Sequence, residues 1–379
     1  MTIRIENSVI YPHSKEERAF FHPKVAFDIG KQKLAMTLQT INGSDYFGPV
    51  HVTYSEDNGK VWEKPQKLLP LNKRSFQEGI IETVCDVVPD YHPQHNKLLA
   101  IGHNAYYSNT AFIDTFGFFK PDEKAPSLQR FSVYSVKDSY GNWSERKRIS
   151  FGEFKDFPCF VCGCSQKVIL TNGQMIIPSV IGGGSRRDFK VVCLLCDFDG
   201  IELKPVKRGN ILELPVDRGL LEPSIIQYND SFFLTLRAED GHGYLSTSDD
   251  GLHWEPIRAW SWENGSKLIM STTQQHWLKL GGKLYLVYTR KNGENRKVMR
   301  WRAPLLIAEF DTENLCLKKD TEQVVFPMKH HPENPDSVGL MGNFHPLSLS
   351  ENEAIITVGE MHPEMNFKGD TLLARLTVK

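Results

Sequence analysis

Long apolar runs are missing from this 379-residue chain; nothing in it approaches the roughly 18–20 consecutive apolar residues that a membrane helix needs. An excess of either charge is missing too, with 45 Lys and Arg against 46 Asp and Glu. That balance removes the electrostatic reason to expect nucleic acid or an anionic membrane as a partner. The one basic cluster, Arg296 to Arg302, is short and broken by apolar residues. Amphipathic helical periodicity is nearly absent. The amino-terminal MTIRIENSVIYPHSKEE carries acidic and polar residues where a signal peptide has its apolar core, so a cytoplasmic location is expected. Cysteine is sparse and odd in number, at seven, which argues against a disulfide framework. What is present is ordinary for a soluble globular protein: 40% hydrophobic, 24% charged and 11% aromatic residues exclude disorder, collagen and coiled coil.

Cys159, Cys162 and Cys164, followed by Cys193 and Cys196, have a spacing that invites a zinc reading. Cys193 and Cys196 lie in VVCLLCDF, a strand pattern, and residues three apart on a strand point to opposite faces. Buried, reduced thiols are therefore expected, with no metal and no cofactor.

Internal repeats decide the architecture. Ser55-Glu-Asp57-Asn-Gly59-Lys-Val-Trp62 and Thr247-Ser-Asp249-Asp-Gly251-Leu-His-Trp254 both follow [ST]-x-D-x-G-x-x-W, each after an alternating strand. The Asp serves turn amides, the Gly takes a left-handed position and the Trp packs the turn onto the sheet. A degenerate copy is Asp138…Gly141-Asn-Trp143. A second kind of hairpin recurs as KVAFDIGKQKLAMTL, TVCDVVPDYHPQHNKLLAIG, KVILTNGQMIIPSV, SIIQYNDSFFLTLR, HWLKLGGKLYLVYT and HPLSLSENEAIITVG. Each is followed by further strands, which gives units of roughly 50–80 residues, the size of a propeller blade. The expected fold is all-β: a six-bladed β-propeller of four-stranded blades, one domain over residues 1–379. The last unit has one clear strand after its hairpin, TLLARLTVK, and the amino-terminal TIRIENSVIY is expected to pair with it and close the ring.

In a propeller the inner strands line an axial channel, and one rim collects the starts of those strands and the connections after the second strands. The inner starts carry His22, Asp86, Cys164 to Gln166, Glu222, Gln275, His276, Asn343 and His345. The connections carry Asp45, Tyr46, His103, Arg186, Arg187, Arg237, Glu239, Asp240, His242, Tyr288, Arg290 and Glu360. Any one of these can do no more than satisfy a stray backbone group. Their coincidence around one axis is what predicts a ligand pocket. Glu239 and Asp240 cannot both face inward on an extended segment, so one is expected to hold Arg237 or His242. Arg300 and Arg302, alternating with Trp301, read as a strand whose long stems cover the sheet.

The repeated turn resembles the Asp-box of the sialidase (neuraminidase) superfamily of β-propellers. That resemblance implies three arginines around a substrate carboxylate, a Tyr–Glu nucleophile pair and an Asp acid/base. Arg237 and Arg290 match two of the arginines, and Asp45 matches the acid/base. The place of the first arginine reads Phe21-His22-Pro23-Lys24, and the place of the tyrosine offers Asn343 and His345, so the broader group of sialidase-like carbohydrate-active enzymes fits better. The expected function is exo-acting glycoside hydrolysis of an acidic or capped oligosaccharide by two carboxyl groups, one with a raised pKa, drawn from Asp86, Glu222, Glu239, Asp240 and Glu360. An alternative is β-elimination at a uronic acid, with Arg237 or Arg290 neutralising the carboxylate and His103, His242, His276 or Tyr288 moving the proton. Sialidase-like propellers acting on rhamnose–glucuronate linkages are a resemblance in that direction. Gln275, His22, Asn343, His345 and Glu360 complete the expected binding residues. A non-catalytic sugar-binding propeller is the third reading.

Overall fold

The computed structural model describes residues 3–12, 20–31, 33–41, 46–108, 111–112, 128–183 and 188–378. Strands and short 3-10 turns make up its regular structure. None of its helices is long and apolar enough to cross a membrane. The strands alternate or run apolar between Gly, Asn and Asp turns, and buried Val, Ile, Leu and aromatic side chains fill the space between neighbouring sheets. The sheets stand in a β-propeller arrangement.

Four sheets of four or five strands are separate. One orders Phe20–Phe27, Leu34–Ile41, Phe47–Ser55 and Gln66–Lys67; another orders Leu221–Tyr228, Ser231–Arg237, Gly243–Ser248 and Arg258–Ala259. A third is built on His276–Leu280, Lys283–Tyr288 and Leu305–Asp311. In the fourth, Ile3–Tyr11 pairs antiparallel with Thr371–Val378, Ile3 opposite Val378 and Val9 opposite Leu372. The two ends of the described chain thus share one sheet, with Ile3–Tyr11 as its outer strand.

The strands from Arg74 to Leu212 do not divide into two such sheets. They join in one eleven-stranded sheet, which corrects the expectation of six independent four-stranded units. The cause is local. Cys159–Val161 lies parallel to Arg130–Lys137 on one side and antiparallel to Met175–Gly182 on the other, stitching two hairpin groups together. The strand expected inside that second group is cut down to Val168–Ile169, after a turn with Cys164 at φ 65°.

The repeated turns are built as the sequence pattern suggests, with one change of register. Ser55 Oγ accepts the Gly59 amide at 2.9 Å, and Asp57 Oδ1 accepts the Lys60 and Val61 amides at 3.0 and 2.9 Å. In the second turn Ser248 Oγ accepts the Gly251 amide at 2.9 Å, and Asp250 Oδ1 accepts the Leu252 and His253 amides at 2.8 and 2.7 Å. Asp250, not Asp249, is therefore the working carboxylate, because this turn is one residue shorter between Asp and Gly. Gly59 and Gly251 stand at φ 84° and 74°, which only glycine adopts without cost. Asp57→Ala and Asp250→Ala should each lower stability by about 1 kcal/mol in thermal unfolding, while exposed Asp249→Ala stays within about 0.5 kcal/mol of the parent.

All seven cysteines are buried and none is in a disulfide. Cys193 packs in an apolar cluster with Ile176 and Leu234, and Cys196 in another with Met175 and Phe198. They face opposite sides of their strand, as the pleat requires.

Candidate active site

A cavity of about 230 Å³ opens where the inner strands start. His22, Asp86, Cys164 and Glu222 line it, and each has a left-handed backbone, at φ 54°, 53°, 65° and 44°. For a residue other than glycine that geometry costs on the order of 1–2 kcal/mol. Three of the four sit in breaks of strand register, between Phe21 and Lys24, Cys85 and Val88, and Leu221 and Ser224. An extra residue bends the strand and re-aims a side chain. The same local distortion, repeated around the ring, turns these polar side chains into one cavity, and strain of this kind gathers at functional sites.

Asp86 is the hub of one side. His22 Nδ1 lies 3.2 Å from its Oδ1 and His103 Nε2 lies 3.4 Å from its Oδ2. Asn343 donates to Oδ1 at 3.0 Å. Arg130 Nη2 stands 2.7 Å from His103 Nδ1. A guanidinium can only donate, so Nδ1 accepts and Nε2 carries the proton toward Asp86. Gly163 lies flat on this histidine, since a Cβ there would fall 2.2 Å from His103 Cδ2. Burial pushes the Asp86 carboxyl upward, but hydrogen bonding from His103 and His22 outweighs it and holds the group well below the usual carboxylate range. Burial pushes His22 below its ordinary value, so it is a neutral imidazole beside an ionised carboxylate.

Cys85, Asp86 and His103 are close enough together to be tested as metal ligands. The Cys85 sulfur is 3.4 and 3.8 Å from the two ring nitrogens of His103. Near-equal distances put it over the ring, whereas a metal shared by both residues must lie in the ring plane on a nitrogen lone pair. Arg130 already occupies Nδ1. The trio is not arranged for a metal.

Glu222 anchors the other side. Arg237 donates to its Oε1 at 2.8 Å and to Glu239 at 2.7 Å, and Arg218 grips the same Glu239 oxygen at 2.7 Å. Glu222 Oε2 is buried with no partner among the described residues. Burial raises the Glu222 carboxyl, but the charges of Arg237 and Arg302 prevail and the group is held below its ordinary value. Both carboxyl groups in the cavity are therefore ionised. The expected carboxyl with a raised pKa is not one of them; Glu360 is raised by burial but does not line the cavity. Among the described residues five arginines line it: Arg130, Arg218, Arg237, Arg300 and Arg302.

No family model matches the chain, and no curated protein matches it in sequence. Solved structures do match. A protein of unknown function from Dyadobacter fermentans superposes with TM-score 0.67 at 15% identity, covering 100% of this chain and 99% of that one. Trypanosoma rangeli sialidase superposes with TM-score 0.66 at 14% identity, over 98% of this chain and 59% of that one. NanB sialidase from Streptococcus pneumoniae gives 0.62 at 10% identity, over 98% and 70%. The fold is sialidase-like.

On this sialidase-like scaffold, six of the expected site residues line the cavity: His22, Asp86, His103, Glu222, Arg237 and Asn343. Asp45, Arg186 and Arg187 lie outside the described residues. The others are not brought to it. Arg290 is bidentate to Glu322 at 2.8 and 2.7 Å, and the same carboxylate takes the Tyr288 hydroxyl. Glu239 stands behind Arg237 and holds it, while Asp240 accepts the His242 amide at 3.0 Å; both act as partners of the two residues the alternation argument named. His242 Nδ1 contacts the Leu268 carbonyl at 3.0 Å. Gln275 accepts from Thr235 and Trp260 at 2.5 and 3.0 Å. His276 bonds Ser224 at 2.7 Å, and His345 accepts the Val25 amide at 3.3 Å. These two histidines stand on inner strands but are buried in the axis instead of lining the cavity.

Arg130, Arg218 and Arg302 were not foreseen as site residues. Arg302 looks like a strand residue in MRWRAP, but Arg300 and Trp301 are both left-handed at φ 54° in a short turn, which carries both arginines to the cavity. Arg130 begins a third strand, paired so that Ser132 lies opposite His103.

Proposed function

We propose that the protein is a carbohydrate-active enzyme, an exo-acting glycoside hydrolase on an oligosaccharide whose terminal sugar carries a carboxylate. The observation that carries this is a cavity lined by five arginines around two carboxylates, Asp86 and Glu222. Arginine recognises a carboxylate by a planar pair of hydrogen bonds, and cationic walls select an anion. A small cavity favours one terminal residue over the middle of a chain. The two carboxyl groups then do the chemistry: one protonates the leaving oxygen, the other attacks or activates water. A substrate carboxylate bound against Arg237 and Arg302 cancels the field that keeps Glu222 ionised, so Glu222 takes up a proton from solvent as the substrate binds and then donates it to the leaving oxygen. Asp86, with its two histidines and Asn343, stays ionised as the nucleophile or base.

A second reading is β-elimination at a uronic acid. The neutral His22 imidazole beside ionised Asp86 favours it, since that pair suits removal of a proton next to an arginine-neutralised carboxylate. In either case we take the eleven-stranded sheet as two blades joined by Cys159–Val161, which makes six blades in one domain, with the Ser–Asp–Gly turns as Asp-boxes and a cytoplasmic location.

Assay of the purified protein with aryl glycosides of acidic sugars, together with detection of unsaturated uronides, separates these readings. Release of the aryl group, lost by roughly 10²–10⁴-fold in Glu222→Gln, is the expected result. Unsaturated product would favour elimination, and saturable binding without turnover would make the protein a sugar-binding module.

A further inference from the structure

The turn that carries Arg300 and Arg302 is strained and firmly held. Arg300 and Trp301 are consecutive left-handed residues, both at φ 54° and neither a glycine, a conformation that side chains disfavour. Several contacts keep it in place. Asn295, fully buried at its base, donates from Nδ2 to the Arg290 carbonyl at 2.8 Å and to the Ala303 carbonyl at 2.9 Å. The Trp301 amide donates to the Val298 carbonyl at 2.9 Å, and the Lys291 ammonium stands 3.9 Å from the centre of the Trp301 ring. Past the turn, the Arg302 carbonyl accepts the Met341 amide at 2.8 Å. What this backbone delivers to the cavity is Met299, Arg300 and Arg302. Strain over-determined by its surroundings in this way gathers at ligand clamps.

The five cavity arginines are not equivalent. Arg130 is engaged with His103, Arg218 with Glu239, and Arg237 with Glu222 and Glu239. Arg302 donates to the Thr272 carbonyl at 3.2 Å. Arg300 makes no hydrogen bond, ion pair or ring contact among the described residues. Exposure falls along the turn, from Met299 at 46% through half-buried Arg300 to buried Arg302. Arg300 therefore stands nearer the mouth than Arg302. The guanidinium charges are permanent. Among the described residues they outnumber the carboxylates Asp86, Glu222 and Glu239 by two, so a single substrate carboxylate leaves a positive charge unmatched.

We propose that Arg300 is a specificity-determining residue, the receptor for a second oxyanion carried on the mouth side of the same ligand. The group is a sulfate ester or a further carboxylate, and the substrate class narrows from an acidic sugar to a doubly acidic one. This rests on the acidic-sugar reading above, in which Arg237 and Arg302 take the first carboxylate. A guanidinium meets either oxyanion through a planar pair of donors. Because the turn is rigid, Arg300 is already placed, and little ordering is left for the ligand to offset.

Calorimetric titration of the whole protein with sodium sulfate, alone and with saturating glucuronate or N-acetylneuraminate, tests this. Sulfate and the acidic sugar should bind together. Arg300→Met should weaken sulfate by roughly ten-fold or more, the loss of one charge-assisted contact. It should weaken the sugar by less than about three-fold, since a charge nearer the mouth is screened. Arg300→Lys, which keeps the charge without the planar fork, should fall between parent and Arg300→Met for sulfate. Acetate in place of sulfate names the group: tighter sulfate assigns a sulfate ester, and tighter acetate a second carboxylate. Sulfate that the sugar displaces, or that binds Arg300→Met as tightly as the parent, overturns the inference and leaves the acidic-sugar reading standing. Absence of sulfate binding overturns it too. If sulfate binds through Arg300 but neither sugar binds, Arg300 is supported as an anion receptor and the acidic-sugar reading fails.

Discussion

Arg237→Met should destabilise the protein by about 3–5 kcal/mol and abolish turnover, because it leaves two carboxylates facing each other without their shared cation. Arg237 is nearly inaccessible and donates to Glu222 and Glu239 at 2.8 and 2.7 Å. Removing one partner of such a group costs far more than the group contributes, since the remaining charges must be solvated by the protein or protonated. Glu222, now without the cation that offset its burial, should take up a proton near neutral pH. Arg237→Lys keeps the charge but reaches only one carboxylate well, so it should recover much of the stability and little of the activity. Denaturant unfolding and kcat/KM on the same three proteins check this. A fully stable Arg237→Met would mean that Arg218 alone can hold both carboxylates.

Asp86→Asn should lower kcat/KM by roughly 10²–10⁴-fold, since the carboxylate that stabilises charge or attacks is replaced by an amide of the same shape. Its stability signature is separate and has a definite sign. The folded-state pKa of Asp86 lies well below its ordinary value. The stability it contributes is therefore present above the unfolded-state value of about 3.9 and is lost as pH falls through the folded value. The parent should weaken on acidification below about pH 4, and Asp86→Asn should weaken less steeply over the same window. Melting temperature against pH for both proteins is the measurement. Parallel curves would show that Asp86 is not the depressed carboxyl.

Local patterns carried much of this protein. Turn chemistry and strand alternation predict the hairpins, the pairing of residues 3–10 with the last strand and the opposite facing of Cys193 and Cys196, because each depends on neighbours in sequence. The strand-start rule also finds Asp86, Glu222, His22, His103, Arg237 and Asn343, since a propeller brings those positions to one rim. Glu239 and Asp240 do take different partners, Arg237 and His242, but the strand ends at Arg237 and a bend separates the two carboxylates, not strand alternation.

Other features depend on contacts that sequence distance hides. The fusion of two hairpin groups rests on three residues, Cys159 to Val161, lying parallel to Arg130–Lys137, and no local signal marks such a short bridge. Which turn carboxylate works, Asp249 or Asp250, is decided by one missing residue before Gly251. On paper Arg290 reads as a site arginine and Arg302 as a strand residue covering the sheet; Glu322 claims the first, and a left-handed turn delivers the second to the cavity. The sequence by itself determined an all-β chain of repeated hairpins with polar residues at one set of strand ends, because period and turn type are properties of neighbouring residues. Which of those residues share a cavity, and which are neutral or charged there, is settled by the fold in three dimensions, because burial and charge coupling arise between residues hundreds of positions apart.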